Sequence, residues 1–323
     1  MDRERAIERY QEETAERIRQ YRDQMGQHLL EEAEQMEEMI KGAMIQLGER
    51  LKEQQKEYVS FLYISLLKVD FTKRNYQLLL HAMDHQWYLD ENPLEVYFDA
   101  GSLFAPLDEL WDYLKEESRK YIGAINQYDI WHIMFEELRH VDAAISRILR
   151  YRLRDWEKKG VFSNVTLAPY WLLKWGEYRD QSEFIIQTDR VAKEKEVWKK
   201  EIRMAVHKPE TLVFSYWYQG SYEGDRLEKL DMKFVVFEEA TLENMTFTAC
   251  DMEGSRFPNS RLASCSFEGC NLWGADFSGC TLEQVSFQGA ELTGALFPAQ
   301  SVPFLNLDPE QLQVILLRRE EQE

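Results

Sequence analysis

The 323-residue chain lacks several things that define common protein classes. No run approaches the roughly 20 apolar residues that a bilayer span needs; the densest stretch, Tyr58 to Val69, is interrupted by Ser60 and Ser65. Positive charge is scarce, with 39 Lys and Arg against 58 Asp and Glu, a formal charge of −19. Phosphates would have to be neutralised by Lys and Arg, so direct nucleic-acid binding is not expected. The opening Met1-Asp2-Arg3-Glu4-Arg5 has no apolar region of the secretory kind, and a cytoplasmic location is the expectation. Gly-x-Gly-x-x-Gly, the phosphate loop and Gly-x-Ser-x-Gly are all missing, which disfavours an enzyme, and no catalytic residue, cofactor or metal is expected. Cysteine is sparse too: Cys250, Cys265, Cys270 and Cys280 are all there are.

What is present begins around those cysteines. Every fifth residue from Met232 is large and apolar: Met232, Phe237, Leu242, Phe247, Met252, Phe257, Leu262, Phe267, Leu272, Phe277, Leu282, Phe287, Leu292 and Phe297. The residue two before is mostly small, including all four cysteines, and the residue two after is often glycine, as at Gly254, Gly269, Gly274, Gly289 and Gly294. A period of five fits neither a helix nor a simple strand. The chain must turn within each repeat and place one large and one small side chain inward, which demands a solenoid.

The pattern resembles the pentapeptide-repeat family, with Ala275-Asp276-Phe277-Ser278-Gly279 and Asn271-Leu272-Trp273-Gly274 as close copies of its motif, over about a quarter of the chain. The resemblance implies a right-handed quadrilateral β-helix of twenty residues per coil. Residues twenty apart then stack about 4.8 Å apart. Phe237, Phe257, Phe277 and Phe297 would form one inward ladder, Phe247, Phe267 and Phe287 the opposite one, and the Leu and Met positions the remaining sides. Cys250 and Cys270 would be stacked neighbours, read as buried reduced thiols in preference to a redox pair.

Solenoid ends need covers. Asp308-Pro309-Glu310 signals a helix start, followed by Leu312, Ile315 and Leu316 and a charged tail, Arg318 to Glu323. At the front, Thr211 to Gln219 reads as strand, and Trp217, Tyr222 and Leu227 keep the five-residue phase as a degenerate first coil.

The remainder reads as helical. Residues 1 to about 57 contain no proline, and apolar positions from Ile7 to Leu51 recur with a mean period of about 3.67. Continued through Asp70, this helix would exceed roughly 90 Å, with Gly26, Gly42 and Gly48 as bends or close approaches. Further helices are expected over 74–89, 106–121, 127–158, 169–186 and 189–206. The fold expectation is therefore an all-α helical domain over 1–210 with a long N-terminal helix, the β-helix over 211–300, and a capping helix with charged tail over 301–323. The first half of the long helix has no obvious local cover, so a homodimer through residues 1–30 is expected, with fold-back onto the chain's own bundle as the alternative.

Chemistry-bearing groups are few. His81 and His85, at i and i+4 with Asp84 between, would face one way on a helix, but no third ligand is evident and a partly exposed face is preferred. Glu137 and His140 match a di-iron element whose only companion, Asp129 and His132, lies on the same helix; a solvated face is preferred again. The acidic run Glu31 to Glu38 reads as a solvated helix face, able to dock a basic partner, and Lys193 to Lys200 as an unremarkable mixed-charge stretch. Trp273, next to inward Leu272, points outward, either under the helical domain or as an anchor for a partner. Asp231, Asp251, Asn271 and Glu291 would form a column on one face, with Glu253 beside it.

Some members of the resembled family are DNA mimics that bind DNA gyrase and protect it from inhibitors. Residues 225–300 carry 12 acidic against five basic side chains, but 3.5 coils span only roughly 17 Å. A non-catalytic scaffold or interaction protein of bacterial type is the leading expectation, with the β-helix as a rigid block, the helical domain as binding surface and a protein partner. Gyrase or topoisomerase protection is the alternative.

Overall fold

The computed structural model describes residues 2–318, and the end of the expected charged tail lies outside them. The chain divides into two compact units between Ile186 and Gln187.

The N-terminal unit begins with α1 (Arg3–Glu31) and α2 (Ala33–Glu53), interrupted at Glu32. The chain then enters β1 (Val59–Leu66), α3 (Lys68–Phe71), β2 (Gln77–Met83), β3 (Leu94–Asp99), α4 (Gly101–Ser118), α5 (Gln127–Arg152), α6 (Trp156–Lys159), β4 (Leu167–Glu177) and β5 (Ser182–Asp189). The strands form one sheet in the order β3-β2-β1-β4-β5. β1 runs antiparallel to β2 and parallel to β4, and β2 is antiparallel to β3.

This sheet corrects the all-α expectation. The long helix does not continue to Asp70: it stops at Glu53, and Tyr58–Val69 supplies the central strand. Residues 74–89 and 169–186 likewise yield β2 and the β4–β5 pair. Leu78–Met83 and Trp171–Leu173 are short runs buried on both faces, and such runs carry no periodicity that separates strand from buried helix. α4 and α5 fall where helices are expected, the latter opened by an Asn126–Asp129 capping box.

One sheet face packs on the helices, with Leu62, Ile64, Leu78, Leu80, Val96, Leu173 and Trp175 in a common core with α-helical residues. The stripe of α1 joins that core. Ala6, Tyr10, Thr14, Tyr21, Met25 and Leu29 are buried, Tyr10 donates its hydroxyl to the Leu114 carbonyl (2.7 Å), and α1 packs on α4 and α5. The stripe of α1 thus folds back onto helices of its own unit, with Ile7 and Ile18 partly buried. Gly48 is a close approach: a Cβ there would stand 2.2 Å from the Asn164 carbonyl oxygen, whereas Gly26 and Gly42 meet nothing within 4 Å.

The second unit is a β-solenoid of about five turns. Three-residue strands stack in parallel at twenty-residue intervals, for example Ser221–Glu223, Thr241–Glu243, Arg261–Ala263 and Thr281–Glu283. Trp217, Tyr222 and Leu227 pair with Phe237, Leu242 and Phe247, so the degenerate first coil is real. Nearly every fifth residue, from Phe214 through Asn244 and Gly269 to Gly294, sits at positive φ. This left-handed corner is what makes glycine frequent two places after the large residue.

The two ladders are as expected. Phe237, Phe257, Phe277 and Phe297 stack with centroids 5.7, 4.8 and 5.0 Å apart, and Phe247, Phe267 and Phe287 at 5.0 and 5.4 Å. The ladders meet edge to face at 5.2 to 6.0 Å, the geometry the phenyl quadrupole favours. Leu242, Met252, Leu262, Leu272 and Leu292 are buried on the other sides; Leu282 is only partly so. All four thiols are free and buried, with Sγ of Cys250, Cys265 and Cys270 near the carbonyls of Leu227, Leu242 and Phe247 at 3.4 to 3.5 Å.

Both ends are covered, each by a device the sequence hid in part. At the front, α7 (Lys195–Ala205) belongs to this unit, which is why the division falls before residue 210. Trp198 packs on Trp217 and Tyr222 at 4.8 Å and on Phe237 at 5.7 Å, and its Nε1 donates to Asp225 (2.8 Å). Lys193 also has a role in this stretch, donating to the Tyr216 carbonyl (2.6 Å). At the back, α8 (Pro309–Val314) starts at the expected Asp308 N-cap, closed as a capping box by Gln311, but Leu312 and Leu316 are exposed. The inward residue is Gln311, whose Nε2 donates to the carbonyls of Phe287 and Ala290 (2.8 and 2.9 Å). The chain then adds a strand, Leu316–Arg318, beside Leu296–Pro298.

Candidate protein-binding loop

The solenoid residues singled out in the sequence are brought together but are largely committed to structure. Asp231, Asp251, Asn271 and Glu291 stack in one column through successive bridges. Their side chains accept from the backbone N–H two residues on, at Lys233, Glu253, Trp273 and Thr293 (2.8 to 3.3 Å). This local cap explains Asp and Asn at that repeat position. Lys233 lies between Asp231 (3.4 Å) and Asp251 (3.0 Å), and Asn271 donates to Asp251 (2.9 Å). On another face Arg261 bridges Glu243 and Glu283 at 2.6 Å each. Glu253 and Trp273 are half-buried. At this corner the Phe234 ring lies over Gly254, where a Cβ would stand 2.5 Å away.

The helical candidates resolve differently from expectation. His81 is on β2, buried between the Tyr88 and Tyr178 rings (6.3 and 6.1 Å), and burial pushes its pKa down. His85 lies in the following loop against the Tyr58 hydroxyl (3.1 Å). The two share no helix face. Among the described residues no group of three or more His, Cys, Asp or Glu is placed to hold a metal ion. Glu137 is not solvated: it is 2% exposed and takes a bidentate pair from Arg22 at 2.8 Å. Glu37, inside the acidic run, is buried as well, paired with Arg152 (2.9 Å) and Lys159 (2.8 Å).

The feature sequence reasoning missed is the loop between β2 and β3. Its centre is Asp90, which accepts from Lys56 Nζ (2.5 Å), from the Asp84 N–H (2.8 Å) and from the Asn92 N–H (2.9 Å). Burial alone would raise the pKa of this carboxyl, but Lys56 and the two backbone donors outweigh it and hold it below the ordinary range. Lys56 also donates to the Asn92 carbonyl (2.9 Å). The pinned frame displays three consecutive apolar residues, Trp87, Tyr88 and Leu89, at 46%, 42% and 80% exposure.

Their backbone is held, not slack. Trp87 has φ of 57°, a conformation costly for a bulky residue and kept only when its surroundings dictate it. Its indole N–H donates to the Tyr63 hydroxyl (3.1 Å), and its ring lies 6.2 Å from Phe61 and 4.7 Å from Tyr88. Tyr88 in turn packs on Tyr63 (5.9 Å). These supports come from the sheet face opposite the helices. The same loop borders a cleft of about 790 Å³ whose lining includes Lys56, Asp84, Asp90 and Glu91.

The comparisons with known proteins bear on the second unit. A family model described as "Pentapeptide repeat region" matches residues 226–297. The C-terminal unit carries a pentapeptide-repeat solenoid. Among solved structures, a pentapeptide repeat protein from Nostoc PCC 7120 is 19% identical, covering 37% of this chain and 94% of its own, with a TM-score of 0.30. One from the Arabidopsis thaliana thylakoid lumen is 18% identical over 32% of this chain and 75% of its own (TM-score 0.14). QnrB1, a plasmid-mediated fluoroquinolone resistance protein, is 15% identical over 33% of this chain and 65% of its own (TM-score 0.15). No curated protein matches the chain. Beyond the pentapeptide-repeat solenoid, no described helix is long and apolar enough to cross a membrane.

Proposed function

We propose that this is a non-catalytic interaction protein in which the pentapeptide-repeat solenoid is a rigid block and the 84–92 loop of the N-terminal unit is the partner anchor. The observation that carries the reading is the exposed Trp87-Tyr88-Leu89 triplet on a backbone fixed by the buried Lys56–Asp90 pair. Interface hot spots are enriched in Trp and Tyr, and a preordered loop loses little conformational entropy on binding.

The DNA-mimic alternative draws less support. Five steps of about 4.8 Å from Tyr216–Tyr218 to Leu316–Arg318 give a rod of roughly 24 Å, near seven base pairs. Its acidic column is also interrupted by Lys233, and on another face Arg261 pairs with both Glu243 and Glu283. The test is capture from the native cell with wild type and with Trp87→Ala/Tyr88→Ala. The partner is expected to be lost from the variant while its circular dichroism spectrum remains that of wild type. A partner retained by the variant overturns the reading, as does protection of gyrase supercoiling from an inhibitor at stoichiometric protein.

A further inference from the structure

Building on that reading, we infer that the anchor loop takes an arginine-bearing segment of a partner protein, stacking guanidinium groups on Trp87 and Tyr88 and pairing them with carboxylates of the adjoining cleft. The charge balance of the cleft sets this choice. Its lining holds three carboxylates, Asp84, Asp90 and Glu91, against one ammonium, Lys56. The ammonium is spent on Asp90 at 2.5 Å and stands 3.8 Å from Asp84. Among the described residues Glu91 has no ion pair. The cleft therefore keeps a surplus of two negative charges, with its one ammonium already engaged by Asp90.

The aromatic triplet narrows the choice further. The Trp87 and Tyr88 rings are about half exposed and fixed from behind by Tyr63 and Phe61. Aromatic faces of this kind attract cations, guanidinium more often than ammonium. Arginine alone combines a planar stacking surface with a forked donor set for carboxylates. Exposed Leu89 would meet the aliphatic stem. An acidic segment would be repelled by Asp84 and Glu91, and an anionic lipid surface would be repelled in the same way.

The test measures binding of synthetic fluorescent peptides to the full chain by anisotropy: an arginine-containing sequence, the same sequence with lysine, and the same with glutamate. Phosphatidylcholine vesicles containing phosphatidylserine form the fourth arm. The arginine peptide should bind, the lysine peptide more weakly, and neither glutamate peptide nor vesicles measurably. Trp87→Ala and Asp84→Asn/Glu91→Gln should each weaken arginine-peptide binding about tenfold or more, and added salt should weaken it further. Glu91→Gln alone, at an exposed position, gives a variant whose fold is not in question. Equal binding of the glutamate peptide, binding of vesicles, or indifference to Glu91→Gln overturns the inference. If cellular capture still depends on Trp87 while the arginine peptide fails, the anchor reading survives and only the partner chemistry falls.

Discussion

Phe267→Ala tests the solenoid core at a position where both phenyl ladders meet. Phe267 is fully buried and has four ring neighbours: Phe247 and Phe287 stacked at 5.0 and 5.4 Å, and Phe257 and Phe277 edge-on at 6.0 and 5.7 Å. Aromatic pairs contribute about 0.5–1.5 kcal/mol each beyond burial, so four pairs alone would sum to roughly 2–6. Measured Phe-to-Ala losses in close-packed cores cluster at about 3–5 kcal/mol, because neighbours relax partly into the space. The coils above and below are tied by ladder hydrogen bonds, so little collapse is available here and the upper part of that range is expected. At about 2–4 °C per kcal/mol, the midpoint should fall on the order of 10 °C. Glu268→Ala, one residue on and exposed, should stay within about 0.5 kcal/mol. A thermal scan followed by circular dichroism and Trp fluorescence reads both. Equal shifts for the two variants would refute the inward phase and the ladder argument with it.

Three further outcomes follow from the same structure. Arg22→Ala leaves Glu137 buried without its partner and should cost about 2–3 kcal/mol in urea denaturation, less than for a fully buried pair because Arg22 is partly in water; Arg9→Ala, at an exposed helix pair, should be indistinguishable from wild type. Burial raises Asp142 to about 7, against the lowering effect of the Trp175 indole N–H that donates to it (3.0 Å). The folded state then holds this proton where the unfolded chain has lost it, so stability should fall as pH rises from about 4 to 7, and Asp142→Asn should flatten that slope; an unchanged slope would remove the assignment. Burial pushes the Cys265 and Cys280 thiols up, and all four cysteines should resist a thiol reagent until denaturant is added; rapid native labelling of any one would contradict the enclosed interior.

The solenoid was legible because its side-chain pattern and its backbone share one period: the large residue, the small spacer and the left-handed corner recur together. The sheet of the first unit was not, because Leu78-Leu79-Leu80 and Trp171-Leu172-Leu173 are buried on both faces and show no alternation. Glu37 and Glu137 looked solvated because their partners lie more than a hundred positions away in the chain. The anchor loop was hidden inside a stretch read as helix, although Asp84, Asp90 and Asn92-Pro93 are turn-forming residues whose spacing around Trp87-Tyr88-Leu89 already argued for a loop.

The Gln311 and Trp198 plugs have a consequence for how this rod can change length. Each plug contacts only the terminal coils, through Phe287 and Ala290 at one end and Trp217, Tyr222 and Phe237 at the other. Duplicating or deleting a twenty-residue block between Phe247 and Phe267 would leave both plugs with their own partners and simply move them apart or together by about 4.8 Å. An insertion of any other length would carry a large residue to the wrong side of the stack. The rod is therefore a ruler graduated in whole coils, extensible by tandem duplication without redesign of either end.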